Sequence, residues 1–129
     1  MLKTAMLIGF VILCSMTPCS AQTRQLTAPE KQIIANAYGA RLKDPASAQY
    51  RWAALPLTDN LKGGKLAYCF QVNAKNSYGG YTGFKLILGT LKRVNGKIVA
   101  FNYVTGNLDD AATFAQMTAD LCRASGISF

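Results

Sequence analysis

Few side chains in this chain can do chemistry, and their types narrow the choice. Histidine is absent: the count is His 0 in 129 residues. That removes the usual general base near neutral pH, imidazole metal ligands, and Ser-His or Cys-His nucleophile pairs. Acids are scarce, with Asp+Glu at 6. Asp109 and Asp110 are adjacent, but neighbours on a helix point about 100° apart. Their better use is as carboxylates at the positive end of a helix. Asp44 and Asp59 stand in turn contexts. Beyond residue 21 the chain has two cysteines, Cys69 and Cys122, and no Cys-x-x-Cys. A thioredoxin-type redox pair and a thiolate zinc site are therefore not expected. No P-loop, dinucleotide fingerprint or Ca²⁺ loop occurs, and Gly79-Gly80 alone does not make a phosphate cradle. These residue types predict a protein without enzymatic activity, metal or cofactor.

The remaining candidate is "VNAKNSYGGYTGFKL", residues 72–86. Asn73 and Asn76 both donate and accept hydrogen bonds, Lys75 is cationic, and Tyr78 and Tyr81 are amphipathic. That mixture suits recognition of a glycan or a protein partner, and loops held by a rigid sheet commonly carry binding residues. The same residues also suit a plain hairpin loop. Asn supports turns, and Gly79, Gly80 and Gly83 supply tight bends.

Where the protein works is read from its first residues. Lys3 precedes the apolar run "AMLIGFVIL", which is too short to cross a bilayer, and Cys19-Ser20-Ala21 offers small residues for cleavage before Gln22. Residues 1–21 are expected to be a secretory signal peptide, leaving residues 22–129 as one domain in the periplasm or outside the cell. The alternative is a lipoprotein leader. However, Leu13 before Cys14 and Pro18 before Cys19 are not the small residues that such processing prefers. In an exported chain, Cys69 and Cys122 are expected to form a disulfide. The formal net charge is +8, and the leader carries only Lys3 of it. A basic exported protein is drawn to anionic envelope components such as lipopolysaccharide, peptidoglycan or acidic glycans. Yet the cations are scattered, and only Lys92-Arg93 are adjacent. The pattern fits a solvated positive surface as well as a dedicated site, and gives no sign of specific nucleic-acid binding.

The elements that must position these residues are legible as well. Residues 22–26 look like a loose arm. Thr27-Ala28-Pro29-Glu30 reads as a capping box with proline in the first turn. The helix behind it is expected to run to about Leu42, with Ile33, Ile34, Ala37, Tyr38 and Arg41/Leu42 on one stripe, and to stop at Lys43-Asp44-Pro45. A short extra turn can start at Asp44. From Gln49 the period changes to two, which predicts a strand ending at Pro56. A second strand covers Leu66, Tyr68, Phe70 and Val72, with Cys69 and Ala67 on its opposite face. A third resumes at Phe84, with a bulge or bend at Gly89. Asn95-Gly96 predicts a two-residue hairpin into a fourth strand over residues 97–104. The last helix has Asn107 as its N-cap, Arg123 in its last turn and Gly126 as its C-cap. Its expected buried stripe is Ala111, Phe114, Ala115, Thr118, Leu121 and Cys122. The order gives an α+β fold: an N-terminal helix, a four-stranded mainly antiparallel sheet, a C-terminal helix and one disulfide. If Cys69 bonds to Cys122, the last helix covers the Cys69 face. The first helix must then cover the aromatic face, or Tyr68 and Phe70 form an exposed patch.

"YCFQVNAKNSYGGYTGFKL" resembles a pattern of small exported proteins of proteobacteria and their phages: Cys, then Val-Asn-x-x-Asn-x-x-Gly-x-Tyr-x-Gly-Phe. "LKDPASAQYRW" is similar to the Leu-Lys-Asp-Pro-x-Ser-Ala stretch that precedes it, and Cys122 matches a late Cys. The resemblance brings neither an activity nor a catalytic residue. Phe70 stands where that pattern often has glycine, which favours a regular strand here. The expected function is that of a small exported binding or accessory protein contacting an envelope component or a protein partner. The alternatives are a structural envelope or secretion-system subunit acting by oligomerisation, and a minimal hydrolase or hydrolase inhibitor.

Overall fold

A computed structural model describes residues 22–58, 61–106, 112–127 and 129. The expected leader, the Asp59 turn and the helix start expected at Asn107, Asp109 and Asp110 lie outside them. At the N-terminus, the predicted loose arm is instead a short strand, β1 (Thr23–Arg24). The Arg24 guanidinium grips the Glu30 carboxylate with two hydrogen bonds of 2.7 Å, and that bidentate fork holds the arm down. Helix α1 (Ala28–Gly39) starts with the capping box that its spacing predicts. Glu30 N donates to Thr27 Oγ1 at 3.4 Å and Thr27 N to Glu30 Oε2 at 2.9 Å. The helix ends at Gly39, short of Leu42. The amides of Arg41 and Leu42 donate to the carbonyls of Tyr38 and Gly39, the tighter three-residue spacing of a winding-down last turn. Ile34 and Tyr38 are fully buried. Leu42 packs against the core, whereas Ile33 is half-buried and Ala37 is exposed.

A 3₁₀ turn, Pro45–Ser47, leads into strand β2 (Gln49–Trp52). The predicted strand to Pro56 breaks at Ala53, whose carbonyl accepts the Tyr68 hydroxyl at 2.7 Å. The chain then leaves the sheet, and β3 (Leu55–Pro56) pairs antiparallel with β1. Strands β4 (Lys65–Asn73), β5 (Lys85–Val94) and β6 (Lys97–Gly106) complete an antiparallel sheet of order β2-β4-β5-β6. Helix α2 (Ala112–Ala124) follows. The α+β architecture is as the sequence predicts. At the β5–β6 hairpin, Asn95 and Gly96 adopt φ of 51° and 75°, the left-handed pair of a type I′ turn.

Both faces of the sheet are covered. On the aromatic face Leu66, Tyr68 and Phe70 stand opposite Leu91, Gly89 and Ile87 of β5, while Phe70 and Val72 face Trp52 and Tyr50 of β2. Helix α1 packs on this side, with the Tyr38 ring edge-on to Phe70 at 5.5 Å. Phe70 is the hub of the cluster, its ring 5.5 Å from Trp52 and 5.6 Å from Phe101. It sits in regular strand, as its size requires. The register shifts between Leu88 and Gly89, where the sequence predicts a bulge. A Cβ at Gly89 would lie 2.1 Å from Phe101 Cε2, so glycine is the residue that lets Phe101 lie across β5.

The opposite face carries Cys69, joined to Cys122 of α2 with 6.0 Å between their Cα atoms. A loop of 53 residues closed in this way stabilises the fold by about 4 kcal/mol through the unfolded chain's lost entropy. Thr118 and Cys122 are buried, but Phe114 and Leu121 are 51% and 42% exposed, correcting the predicted stripe. The staple sets the roll of the helix. Leu121 lies about 100° round from Cys122 and Phe114 about 80° round, so neither can point inward with it. Helix α2 ends in a Schellman motif: Ile127 N donates to Cys122 O, Gly126 N to Arg123 O, and Ile127 is buried.

Candidate functional site

The stretch between β4 and β5 folds into a compact loop rather than an open arch. Asn76 Oδ1 accepts the amides of Tyr78 at 2.9 Å and Gly80 at 3.1 Å, and Asn76 N donates to Gly80 O at 2.9 Å. Asn73 Oδ1 accepts Gly83 N at 3.1 Å at the base of the loop. Both asparagines thus direct their carbonyl oxygens into the loop's own backbone, which is what Asn does best in turns. Lys75 and Tyr81 form an isolated antiparallel bridge. They dock it on the 3₁₀ turn: Lys75 N donates to Ser47 Oγ at 3.2 Å, and the Tyr81 hydroxyl to Ser47 O at 2.9 Å. Lys75 Nζ lies 5.6 Å from the Tyr81 ring centroid. Tyr78 alone stands clear, 97% exposed. The five residues that the sequence singles out therefore share one loop but not one surface.

What the sequence does not show is the other wall. The loop faces the end of α1 across a shallow cleft of about 240 Å³, lined by Arg41, Lys43, Lys75 and Lys85 with Asn76 and Val72 among its neighbours. None of its lining residues is acidic. Asp44, next to Lys43 in the chain, is exposed at the start of the 3₁₀ turn and does not line the cleft. Arg41 is oriented by Tyr103, with its guanidinium carbon 4.0 Å from the ring centroid. These four cations are spread over 45 positions of sequence, from Arg41 to Lys85, so no run of charge could signal them.

A second charge network is structural. Glu30 is only 5% exposed, and besides Arg24 and Thr27 it accepts the amide of Ile98 at 3.1 Å. The Arg24 guanidinium and the backbone donors hold its carboxyl down at about 2. Burial does the reverse to the phenols: Tyr38, Tyr50 and Tyr68 are pushed above the usual tyrosine range and stay neutral at any physiological pH. Among the described residues, no three His, Cys, Asp or Glu come together. No described helix is long and apolar enough to cross a membrane. No protein-family model, curated protein or solved structure matches the chain.

Proposed function

We propose that this chain is an exported binding module that holds an anionic component of the cell envelope against the cleft between the 73–83 loop and the end of α1. Supporting export are the leader-like residues 1–21, the resemblance to small exported proteins, and a disulfide, which persists in oxidising compartments. The observation that carries the reading is the cleft itself. Four cationic residues line one concavity with no acid among the lining residues, and a concave surface of one sign focuses its field on an approaching anion. The loop is stiff enough to present Lys75 in a fixed place, because Tyr81 and Ser47 anchor it.

Lipopolysaccharide micelles are the probe. Lys75→Glu with Lys85→Glu is expected to weaken retention at least tenfold and to change the melting temperature little, since both side chains are only half-buried and neither belongs to the core. Tyr78→Ala is also expected to leave melting unchanged, its side chain being 97% exposed. Retention that disappears near about 0.3 M salt and is equal in wild type and variant would refute the cleft, because only diffuse charge is then at work. One observation favours a second reading, a subunit acting by oligomerisation. Phe114, Met117 and Leu121 of α2 are all at least 42% exposed at the spacing of one helix face. Light scattering showing a dimer that Met117→Glu dissolves would support it.

A further inference from the structure

A different groove lies on the aromatic side of the sheet, between α1 and the edge strand β2. Its floor is the Tyr50–Trp52 pair, ring centroids 4.9 Å apart and 9° from parallel. Its lip is the outer face of α1, with Lys31, Gln32 and Asn36. The volume is about 690 Å³, within the about 300–1,000 Å³ of small-molecule sites. Every other lining residue is alanine, glycine or proline. Helix α1 therefore keeps its side chains short where it passes the rings, and the groove stays open.

We propose that this groove binds a neutral pyranose carrying an acetamido group, as one unit of an oligosaccharide. The apolar surface is aromatic, two nearly parallel rings stacked on each other, against which the C–H groups of a sugar ring can pack. It holds no Leu, Ile, Val, Met or Phe to make a pocket for the apolar anchor side chain of a peptide. A proline-rich segment needs a slot between aromatic rings, and here the two rings are closed on each other. The polar lip completes the match. Gln32 Nε2 donates to Asn36 Oδ1 at 2.6 Å. This leaves Gln32 Oε1 as an acceptor and Asn36 Nδ2 as a donor, side by side one helical turn apart. An acetamido group offers the complement, one N–H and one C=O. The single lining charge is Lys31, with no acid, so the site does not require a charged sugar. The groove shares no lining residue with the cationic cleft, and this inference stands independently of the function proposed above.

The chain contains one tryptophan, and Trp52 lies in the groove, so its emission reports on this site alone. Titration of the disulfide-intact protein with chitotetraose is expected to give a saturable shift in Trp52 emission that is insensitive to salt. Cellotetraose, which has hydroxyls in place of the acetamido groups, is expected to bind at least tenfold more weakly. Gln32→Ala with Asn36→Ala should erase that difference. Ala35→Leu fills the groove from the helix while leaving both aromatic residues in place, and should abolish binding of both sugars, with the circular dichroism spectrum unchanged. Lys75→Glu with Lys85→Glu should change nothing. No saturable shift with either sugar at millimolar concentration would overturn the proposal. So would binding that survives Ala35→Leu, or binding of decaproline where chitotetraose fails. Equal affinity for the two sugars would overturn the acetamido assignment.

Discussion

Replacing Glu30 by Gln tests how the N-terminal arm, the start of α1 and the β5–β6 hairpin are held together. The carboxylate takes two bonds from Arg24, one from Thr27 N and one from Ile98 N, and its side chain is 6% exposed. Its pKa falls from the ordinary 4.5 to about 2. At about 1.4 kcal/mol per pH unit, that gap amounts to about 3 kcal/mol at pH 7. Because the folded-state pKa is depressed, this stability is fully present above about pH 4.5. It is lost as pH falls through the window down to about 2. The amide of Glu30→Gln imitates the protonated acid. The variant should therefore be about 3 kcal/mol less stable than wild type at pH 7, and the two should converge near pH 2. Urea unfolding of the oxidised proteins at pH 7, 5, 3.5 and 2.5 measures the difference, in which the other carboxylates cancel. A deficit that stays constant across those pH values would refute the reasoning. Glutamine would then be disturbing packing, and the charge of Glu30 would contribute nothing.

Three further outcomes follow from the fold. Removing the staple with Cys69→Ala and Cys122→Ala should cost about 4 kcal/mol, read from denaturant midpoints. A loss under about 1 kcal/mol would show that the unfolded chain is already compact. Gly89→Ala should cost about 1–3 kcal/mol by overpacking, since the new methyl would meet Phe101 at 2.1 Å and Asn102 O at 2.6 Å. Gly80→Ala, with nothing nearer than 3.9 Å, should stay within about 0.5 kcal/mol. Tyr38→Phe should be neutral or stabilising by up to about 1 kcal/mol, because the buried hydroxyl has no hydrogen-bond partner among the described residues. A loss beyond that in thermal unfolding would show that a bound water satisfies it.

Much of the fold was legible because its signals are local. The capping box, the proline stop, the Asn95-Gly96 turn and the Gly126 cap each depend on a few consecutive residues and their φ preferences. The period-two pattern of Leu66, Tyr68, Phe70 and Val72 separates the two faces of β4 without reference to anything distant. The misreadings share one cause, which is that the outcome was set from elsewhere. β1 forms because Arg24 finds Glu30. β2 ends at Trp52 because Ala53 turns to the Tyr68 hydroxyl. Phe114 and Leu121 face outward because a disulfide 53 residues long in sequence fixes the roll of α2.

The candidate sites divide along the same line. By itself, the amino-acid order determined the α+β class, the strand faces, the disulfide partners and the loop that carries Asn73, Lys75, Asn76, Tyr78 and Tyr81. Each of these follows from residue type, parity or count. Only the tertiary structure decided that Tyr81 clamps the loop while Tyr78 projects, that Arg41 and Lys43 meet Lys75 and Lys85 across a cleft, and that α1 runs past the Tyr50–Trp52 rings on a track of small residues. Those are juxtapositions of distant segments. Chain connectivity does not encode them locally; they exist only once burial of the aromatic face has locked α1 onto the sheet.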